Sequence, residues 1–242
     1  MNVRMLTYNI YGMPWGTKQI HEILLWLFCF SGADIICLQE VFSKSHREII
    51  QDKAEYAHWS AYFPEDACWA GRYLDAYHSG SGLCILVKPT IHVSRVLPFI
   101  PYTACDSWIE RAVCKGFFGI QFSTGSGKEY IVYNTHMVSD FTECYPLRIA
   151  HTHSRRFQEK QLLDAVRECH CPAMIAGDFN QEEFHYFQKM YEDEGWTYRT
   201  SEEQIDHFAC LHGKVFHVKK VTFYHKILYS DHIPLAMDLE LD

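Results

Sequence analysis

The sequence predicts a layered α/β domain, and three observations carry that expectation. Strand-length apolar runs alternate with helix-length amphipathic ones, the pattern of sheets and helices stacked in layers. Hydrophobic residues make up 48% of the 242 positions, enough for a substantial core. The strand-like runs also stop at polar residues with chemical use: Asn9, Glu40, Asn134-Thr135-His136, Asp178 with Asn180, and Ser230-Asp231-His232. No internal repeat, low-complexity linker or shift of composition divides the chain, so residues 1–242 read as one catalytic-size domain.

Taken in order, Val3–Tyr8 is a strand that ends at Asn9, and Tyr11-Gly12-Met13-Pro14-Trp15-Gly16 is a loop by its Gly and Pro content. Ile20–Phe30 reads as a helix stopped by Gly32, and Ile35–Leu38 as the strand that delivers Gln39-Glu40. A second helix is expected over 46–56. Residues 57–81 are irregular and aromatic, a length without periodicity that suits a functional loop. Leu83–Val87 and Ile91–Phe99 are strand-like, and Val113–Phe122 and Tyr130–Asn134 flank the hairpin signal Thr124-Gly125-Ser126-Gly127. Pro146–Cys169 is the clearest helix, with Phe157, Leu162, Ala165, Val166 and Cys169 on one half of the wheel. A helix over 182–194, a strand over Val215–Phe223 and a last strand over Ile233–Leu241 complete the chain.

Composition narrows the function. The net charge of −8 gives no basic footprint for long nucleic acid. The ten cysteines show no CxxC pair, and Cys169-His170-Cys171 lacks a second pair of ligands, so free thiols in a reducing compartment are expected. No signal peptide precedes the first strand, and the longest apolar run, Ile23–Phe30, falls far short of the ~20 residues of a membrane span. A soluble monomer, cytoplasmic or peripheral to a membrane, is the expectation.

The centre of the pattern is Ala173–Asn180. Ala173-Met174-Ile175-Ala176 has the length of a buried strand, and Gly177 permits a turn or a close backbone approach. If the extended path continues, Asp178 and Asn180 project to the same side and can hold one water and one phosphate oxygen. Taken alone, Gly-Asp-Phe-Asn also reads as a strand-ending turn. The other strand ends favour chemistry. A lone carboxylate such as Glu40 suits Mg²⁺, which keeps several waters and takes one or two protein carboxylates. An Asp-His pair suits general-base catalysis when a carboxylate orients the ring, and adjacency does not say which carboxylate does so. Singly, Glu40 is an ordinary exposed acid and His136 an ordinary histidine; together the five sites depart from chance.

Asn9, Leu38-Gln39-Glu40, Asn134-Thr135-His136, Gly177-Asp178-Phe179-Asn180 and Ser230-Asp231-His232, in this order, resemble the endonuclease/exonuclease/phosphatase superfamily over essentially the whole chain. The resemblance implies a four-layer α/β sandwich, two mixed β-sheets packed face to face with helices outside. It implies Mg²⁺ or Mn²⁺ at Glu40 with Asn9 beside it, His232 as general base, and Asp178 placing the water. Asn180 and His136 would then bind the scissile phosphate, with Asp231 beside the base. Asp206, in Ile205-Asp206-His207-Phe208, matches the family's acid that pairs with the catalytic histidine, although His207 stands where the family has another aromatic. Within the superfamily, Asn9–Pro14, Gly80–Ile85 with Lys88-Pro89, Lys115-Gly116 after Asp106, and Thr135–Asp140 followed by Arg148 and Gln158 are similar to neutral sphingomyelinases. That likeness implies a phosphodiesterase acting on a choline-phosphate lipid. A nuclease on DNA or RNA, an inositol-phosphate phosphatase and a silent scaffold are the alternatives. Contact with a bilayer is expected from exposed aromatics, with Trp69, Tyr73 and Trp108 as candidates.

Overall fold

In this computed structural model of the protein, residues 1–12, 19–64, 80–105, 113–125, 127–139, 151–181, 197–199, 205–210 and 215–242 are described. Trp69, Tyr73 and Trp108, and the helix expected over 182–194, lie outside them.

One sheet is built from β1 (Asn2–Asn9), β2 (Ile35–Gln39), β3 (Ser60–Tyr62), β4 (Cys84–Val87), β12 (Phe216–Phe223) and β13 (Leu235–Leu241), in the order β12-β13-β1-β2-β4-β3. The other has the order β10-β11-β9-β8-β7-β5, with β5 (His92–Val96), β7 (Gly116–Ser123), β8 (Glu129–His136), β9 (Ala173–Asp178), β10 (Thr197–Arg199) and β11 (Asp206–Cys210). A short β6 (Ile100–Pro101) also pairs with β7. Each sheet holds one parallel pair, β1 with β2 and β8 with β9, among antiparallel neighbours. The connections of both parallel pairs carry a helix, α1 (Ile20–Cys29) and α3 (Thr152–Arg167), as parallel strands require. A further helix, α2 (Lys44–Tyr56), follows β2.

The two-residue period of a strand sorts the side chains into layers. Met5, Ile35, Cys37, Ile85, Val132, Met174, Ala176, Phe208, Met237 and Leu239 fill the space between the sheets. The alternate residues Leu6, Tyr8, Ile36, Leu38, Cys84 and Leu86 face outward, under Ile23, Leu24 and Leu27 of α1 and Ile50 and Ala54 of α2. Ile131, Tyr133, Ala173, Ile175 and Ala209 do the same under Leu162, Leu163 and Val166 of α3. The result is the four-layer sandwich, helices outside two face-to-face sheets. Each fully buried Leu, Ile or Phe in these layers contributes roughly 1.5–3 kcal/mol relative to exposure. Among the described residues, no helix is long and apolar enough to cross a membrane.

Helix α3 corrects the sequence reading. Phe157, expected on the apolar face, is 52% exposed. The buried face of its first half is polar instead: Ser154, Arg155, Gln158 and Glu159. The reason lies in what that half packs against. It meets the backbone after β8 rather than apolar strand faces: Val138 N–H donates to Gln158 Oε1 at 2.9 Å, and Arg155 Nη1 donates to Val138 O at 3.2 Å. A wheel drawn from hydrophobicity cannot see a polar partner. The expectation that Ser230-Asp231-His232 ends a strand-like run also changes. His232 does not follow a strand; it precedes β13 in the chain. Because β13 runs antiparallel to β1, its beginning and the end of β1 reach the same edge of the sandwich.

Candidate active site

The strand parity that builds the core also builds the site. Val3, Met5, Thr7 and Asn9 alternate along β1 on the inner face, as do Val132, Asn134 and His136 on β8 and Met174, Ala176 and Asp178 on β9. The interior therefore changes from apolar to polar as the strands run to one edge. At that edge Asn9, His136, Asp178 and Asp206 are all buried. Asp206 arrives from an antiparallel strand, as the register partner of Asp178.

Asp178 is the hub. Its Oδ2 accepts from Asn9 Nδ2 at 3.0 Å, and its Oδ1 accepts from the backbone N–H of Asn180 at 2.8 Å. The extended path does not continue past it. Asn180 has φ 52°, in the left-handed region, and its Nδ2 donates to Met137 O at 2.8 Å. The tetrapeptide is thus a turn and part of the site at once. Gly177 is needed for close approach: a Cβ there would lie 2.1 Å from Thr135 O on the paired strand.

The His232 ring lies between two acids. Its Nδ1 is 2.7 Å from Asp206 Oδ2, and its Nε2 is 3.8 Å from Asp178 Oδ2. Burial alone would lower its pKa, but Asp206 and Asp178 outweigh burial and push it up to about 10. Asp231 is exposed, with its Oδ1 3.1 Å from Ser230 Oγ; it makes no hydrogen bond to the ring beside it in sequence. Ser230 Oγ donates to Asn9 O at 2.8 Å, tying the His232 loop to the end of β1.

His136 and Glu40 complete the edge. His136 Nε2 stands 3.4 Å from Asp178 Oδ2 and 3.9 Å from Glu40 Oε1. Burial, with the positive charges of Lys115 and His232, holds its pKa well below the ordinary value, so these approaches involve a neutral ring and are not ion pairs. Glu40 is the first residue past β2 and has φ 59°. Burial raises its carboxyl pKa, partly offset by Lys115 and Asn9. A largely desolvated carboxylate at the mouth is a hard oxygen donor that a divalent cation would stabilise. Asn9 is less open to a cation. Its Oδ1 accepts from Tyr11 N–H at 3.0 Å while its Nδ2 serves Asp178, which leaves one amide lone pair. Asp178, Asp206 and His232 also offer ligand atoms within 4.8 Å of one another. With Nδ1 engaged by Asp206 and the protonated ring favoured, that trio suits a group that holds and exchanges a proton better than a metal cage.

Three groups near the edge were given no role by the sequence. Lys115 is buried, and its Nζ donates to Met137 O at 3.1 Å while its charge acts on Glu40, Asp178 and His136. Gln39 and Asn134, one layer deeper, hydrogen-bond across the two sheets. On α3, Gln158 and Glu159 meet the loops after β8 and β9. Strand parity flags Gln39 and Asn134 as inward-facing; Lys115 and Gln158 stand in the sequence only as parts of the sphingomyelinase-like segments, without a role, and nothing local marks Glu159.

The sequence matches the endonuclease/exonuclease/phosphatase family over residues 6–232, and the chain belongs to that family. It is therefore a metal-dependent hydrolase acting on phosphoric diester bonds. No curated protein matches by sequence. Among solved structures, the catalytic domain of human Nocturnin with bound sulfate is similar at TM-score 0.73 and 14% identity, covering 100% of this chain and 94% of that one. Sphingomyelinase C from Streptomyces griseocarneus is similar at 0.68 and 17%, covering 99% and 100%. The D. rerio TDP2 complex with single-strand DNA product is similar at 0.68 and 12%, covering 99% of each chain. At these identities the likeness concerns the fold.

Proposed function

We propose that this enzyme is a Mg²⁺- or Mn²⁺-dependent phosphodiesterase of the neutral sphingomyelinase type, which cleaves sphingomyelin to ceramide and phosphocholine by in-line attack of water. The observation that carries the reaction class is the line Asp206–His232–Asp178, with ring nitrogens 2.7 and 3.8 Å from the two carboxylates, opening toward Glu40. Asp206 orients the ring by its Nδ1. Once the ring has given up its proton, which the two acids hold up to about pH 10, Nε2 takes the proton of the attacking water while the oxygen–phosphorus bond forms. The bond to the ceramide oxygen breaks and that oxygen leaves with a proton from solvent. Asp178, held by Asn9 and Asn180, places the water. Neutral His136 donates to a phosphoryl oxygen, and the Asn180 amide lies beside it. Glu40, with the free lone pair of Asn9, would hold the cation, which supplies Lewis-acid neutralisation of phosphoryl charge when bound.

The choline-phosphate lipid reading is supported by the sphingomyelinase-like stretches Asn9–Pro14, Gly80–Ile85 and Thr135–Asp140, and by the net charge of −8, which disfavours long polyanions. It brings with it a cytoplasmic or peripheral membrane location. The test is a panel. Purified protein with Mg²⁺ meets sphingomyelin in liposomes and detergent, single- and double-stranded DNA, RNA, and inositol phosphates. Release of phosphocholine from sphingomyelin, above turnover of the other substrates, is expected. Degradation of DNA with sphingomyelin untouched would discard the lipid reading.

A further inference from the structure

Among the described residues, the apolar cluster between the sheets gives way to a polar layer directly beneath the site. Thr7, Gln39 and Asn134 are there, all fully buried. Thr7 lies two residues before Asn9 on β1, Gln39 one before Glu40, and Asn134 two before His136 on β8. Gln39 Nε2 donates across the sandwich to Asn134 Oδ1 at 2.7 Å, and to Thr7 Oγ1 at 3.1 Å. Asn134 Nδ2 spends its hydrogens on Leu38 O at 2.8 Å and Cys84 O at 2.9 Å. Those carbonyls belong to register partners at the last rung of the β2–β4 ladder, after which the chain turns at Glu40 with φ 59°. A side chain of one sheet thus adds hydrogen bonds to the strand-end carbonyls of the other, each of which has two lone pairs, and ties the last rung of the β2–β4 ladder to β8.

We propose that Gln39 and Asn134 are positioning residues: a cross-sheet amide bracket that sets the separation of Glu40 on one sheet from His136 on the other. Both site residues leave the bracket within two residues, on opposite sheets. One layer nearer the mouth Asn9 Nδ2 crosses to Asp178 Oδ2 at 3.0 Å, so the bracket is the deeper of two cross-sheet ties and the one in sequence with Glu40 and His136, whose Oε1 and Nε2 end 3.9 Å apart. Neither amide touches the mouth, so the bracket acts through Glu40 and His136. Because a displacement of about 1 Å in reacting geometry can cost up to about a hundredfold in rate, the pair governs turnover more than binding.

The test varies bracket length at constant chemistry. Gln39→Asn removes one methylene; the swap Gln39→Asn with Asn134→Gln returns it from the other side. The kinetic arm uses bis(p-nitrophenyl) phosphate with Mg²⁺ and rests on the phosphodiesterase reading. The second arm follows the His136 ring and Glu40 amide resonances by NMR in metal-free protein and does not rest on it. Gln39→Asn is expected to move both resonances and lower kcat at least about tenfold, with KM within about twofold and a folded, cooperative melt. The swap is expected to recover part of both. Unmoved resonances, wild-type kcat in Gln39→Asn, a kcat loss equal to the loss of folded fraction, or no recovery in the swap would each overturn the bracket. A wild type inert toward the diester would strike the phosphodiesterase reading, while the resonances still decide the bracket.

Discussion

His232 is held by Asp206 from a strand of the opposite sheet, at 2.7 Å, and not by its sequence neighbour Asp231. The arrangement follows from β11 running antiparallel beside β9, which sets Asp206 level with Asp178 and leaves the ring between the two carboxylates.

That geometry fixes the first prediction. Asp206→Asn removes the charge that, with Asp178, raises the His232 pKa to about 10, so the imidazole should titrate closer to its ordinary 6.5. A group whose folded pKa lies above its unfolded value adds stability that is complete below about 6.5 and disappears as pH rises through about 10. Metal-free wild type should therefore lose stability between pH 7 and 10, and Asp206→Asn should flatten that slope. Turnover should fall by about two orders of magnitude because the ring loses its orienting partner. Histidine NMR titration, denaturant melts across pH and steady-state rates measure all three; an unmoved His232 titration would show that Asp206 does not control the ring.

Gly177→Ala should be damaging far beyond its size. The added Cβ would sit 2.1 Å from Thr135 O in the β8–β9 ladder, and φ 154° already disfavours a side chain. Overpacking of this kind costs about 1–3 kcal/mol. Relief by strand separation would carry Asp178 and His136 apart, since they are register partners. A drop in melting temperature together with lost activity is expected, whereas Gly125→Ala, where the Cβ meets nothing within 4 Å, should leave activity unchanged.

Glu159 on α3 supplies an opposite kind of test. It is buried, its Oε2 has no hydrogen-bond partner among the described residues, and burial pushes its carboxyl up to about 8 against the pull of Arg156 and Arg155. Its Oε1 accepts from the Gln181 side chain. An acid with a raised folded pKa makes the protein less stable as pH climbs from its unfolded value, 4.5, to about 8. Glu159→Gln keeps an oxygen for Gln181 and cannot ionise. It should match wild type below pH 4.5 and exceed it by more than about 1 kcal/mol at pH 8.5. Denaturant unfolding at both pH values checks this, and equal stabilities at pH 8.5 would mean that Glu159 ionises without cost.

Much of this was legible in the sequence because strand chemistry is local. An apolar run that stops at Asn9, His136 or Asp178 announces both a strand and what it delivers, and the period of two assigns the face. The turn at Asn180 was visible only as an alternative, since its left-handed φ depends on the hydrogen bond from its own N–H to Asp178. The partner of His232 was not fixed by adjacency because Asp206 reaches it through pairing of β11 with β9, a long-range event. The polar face of α3 was invisible for the same reason. Gln158 is buried because Val138 N–H needs an acceptor there, and no periodicity within the helix records that need.

The last prediction separates function from stability at one residue. Glu40 is buried enough that its carboxyl pKa is raised, so its charge is carried at a cost to the fold. Its backbone also holds φ 59° against Gly12, where a Cβ would lie 2.4 Å from Glu40 O, so the turn is fixed by packing and not by the carboxylate. Glu40→Gln preserves size and removes the charge. The metal-free variant should thus be at least as stable as wild type, most visibly as pH rises above 4.5, where an acid with a raised folded pKa begins to cost stability. The divalent cation loses its hard anionic donor, so Mg²⁺ affinity should fall by about tenfold or more, and turnover with it. Calorimetric titration with Mg²⁺ and thermal melts of the metal-free protein give the two numbers independently. Unchanged Mg²⁺ affinity in a stably folded Glu40→Gln would move the metal away from this carboxylate and toward the Asp178, Asp206 and His232 trio.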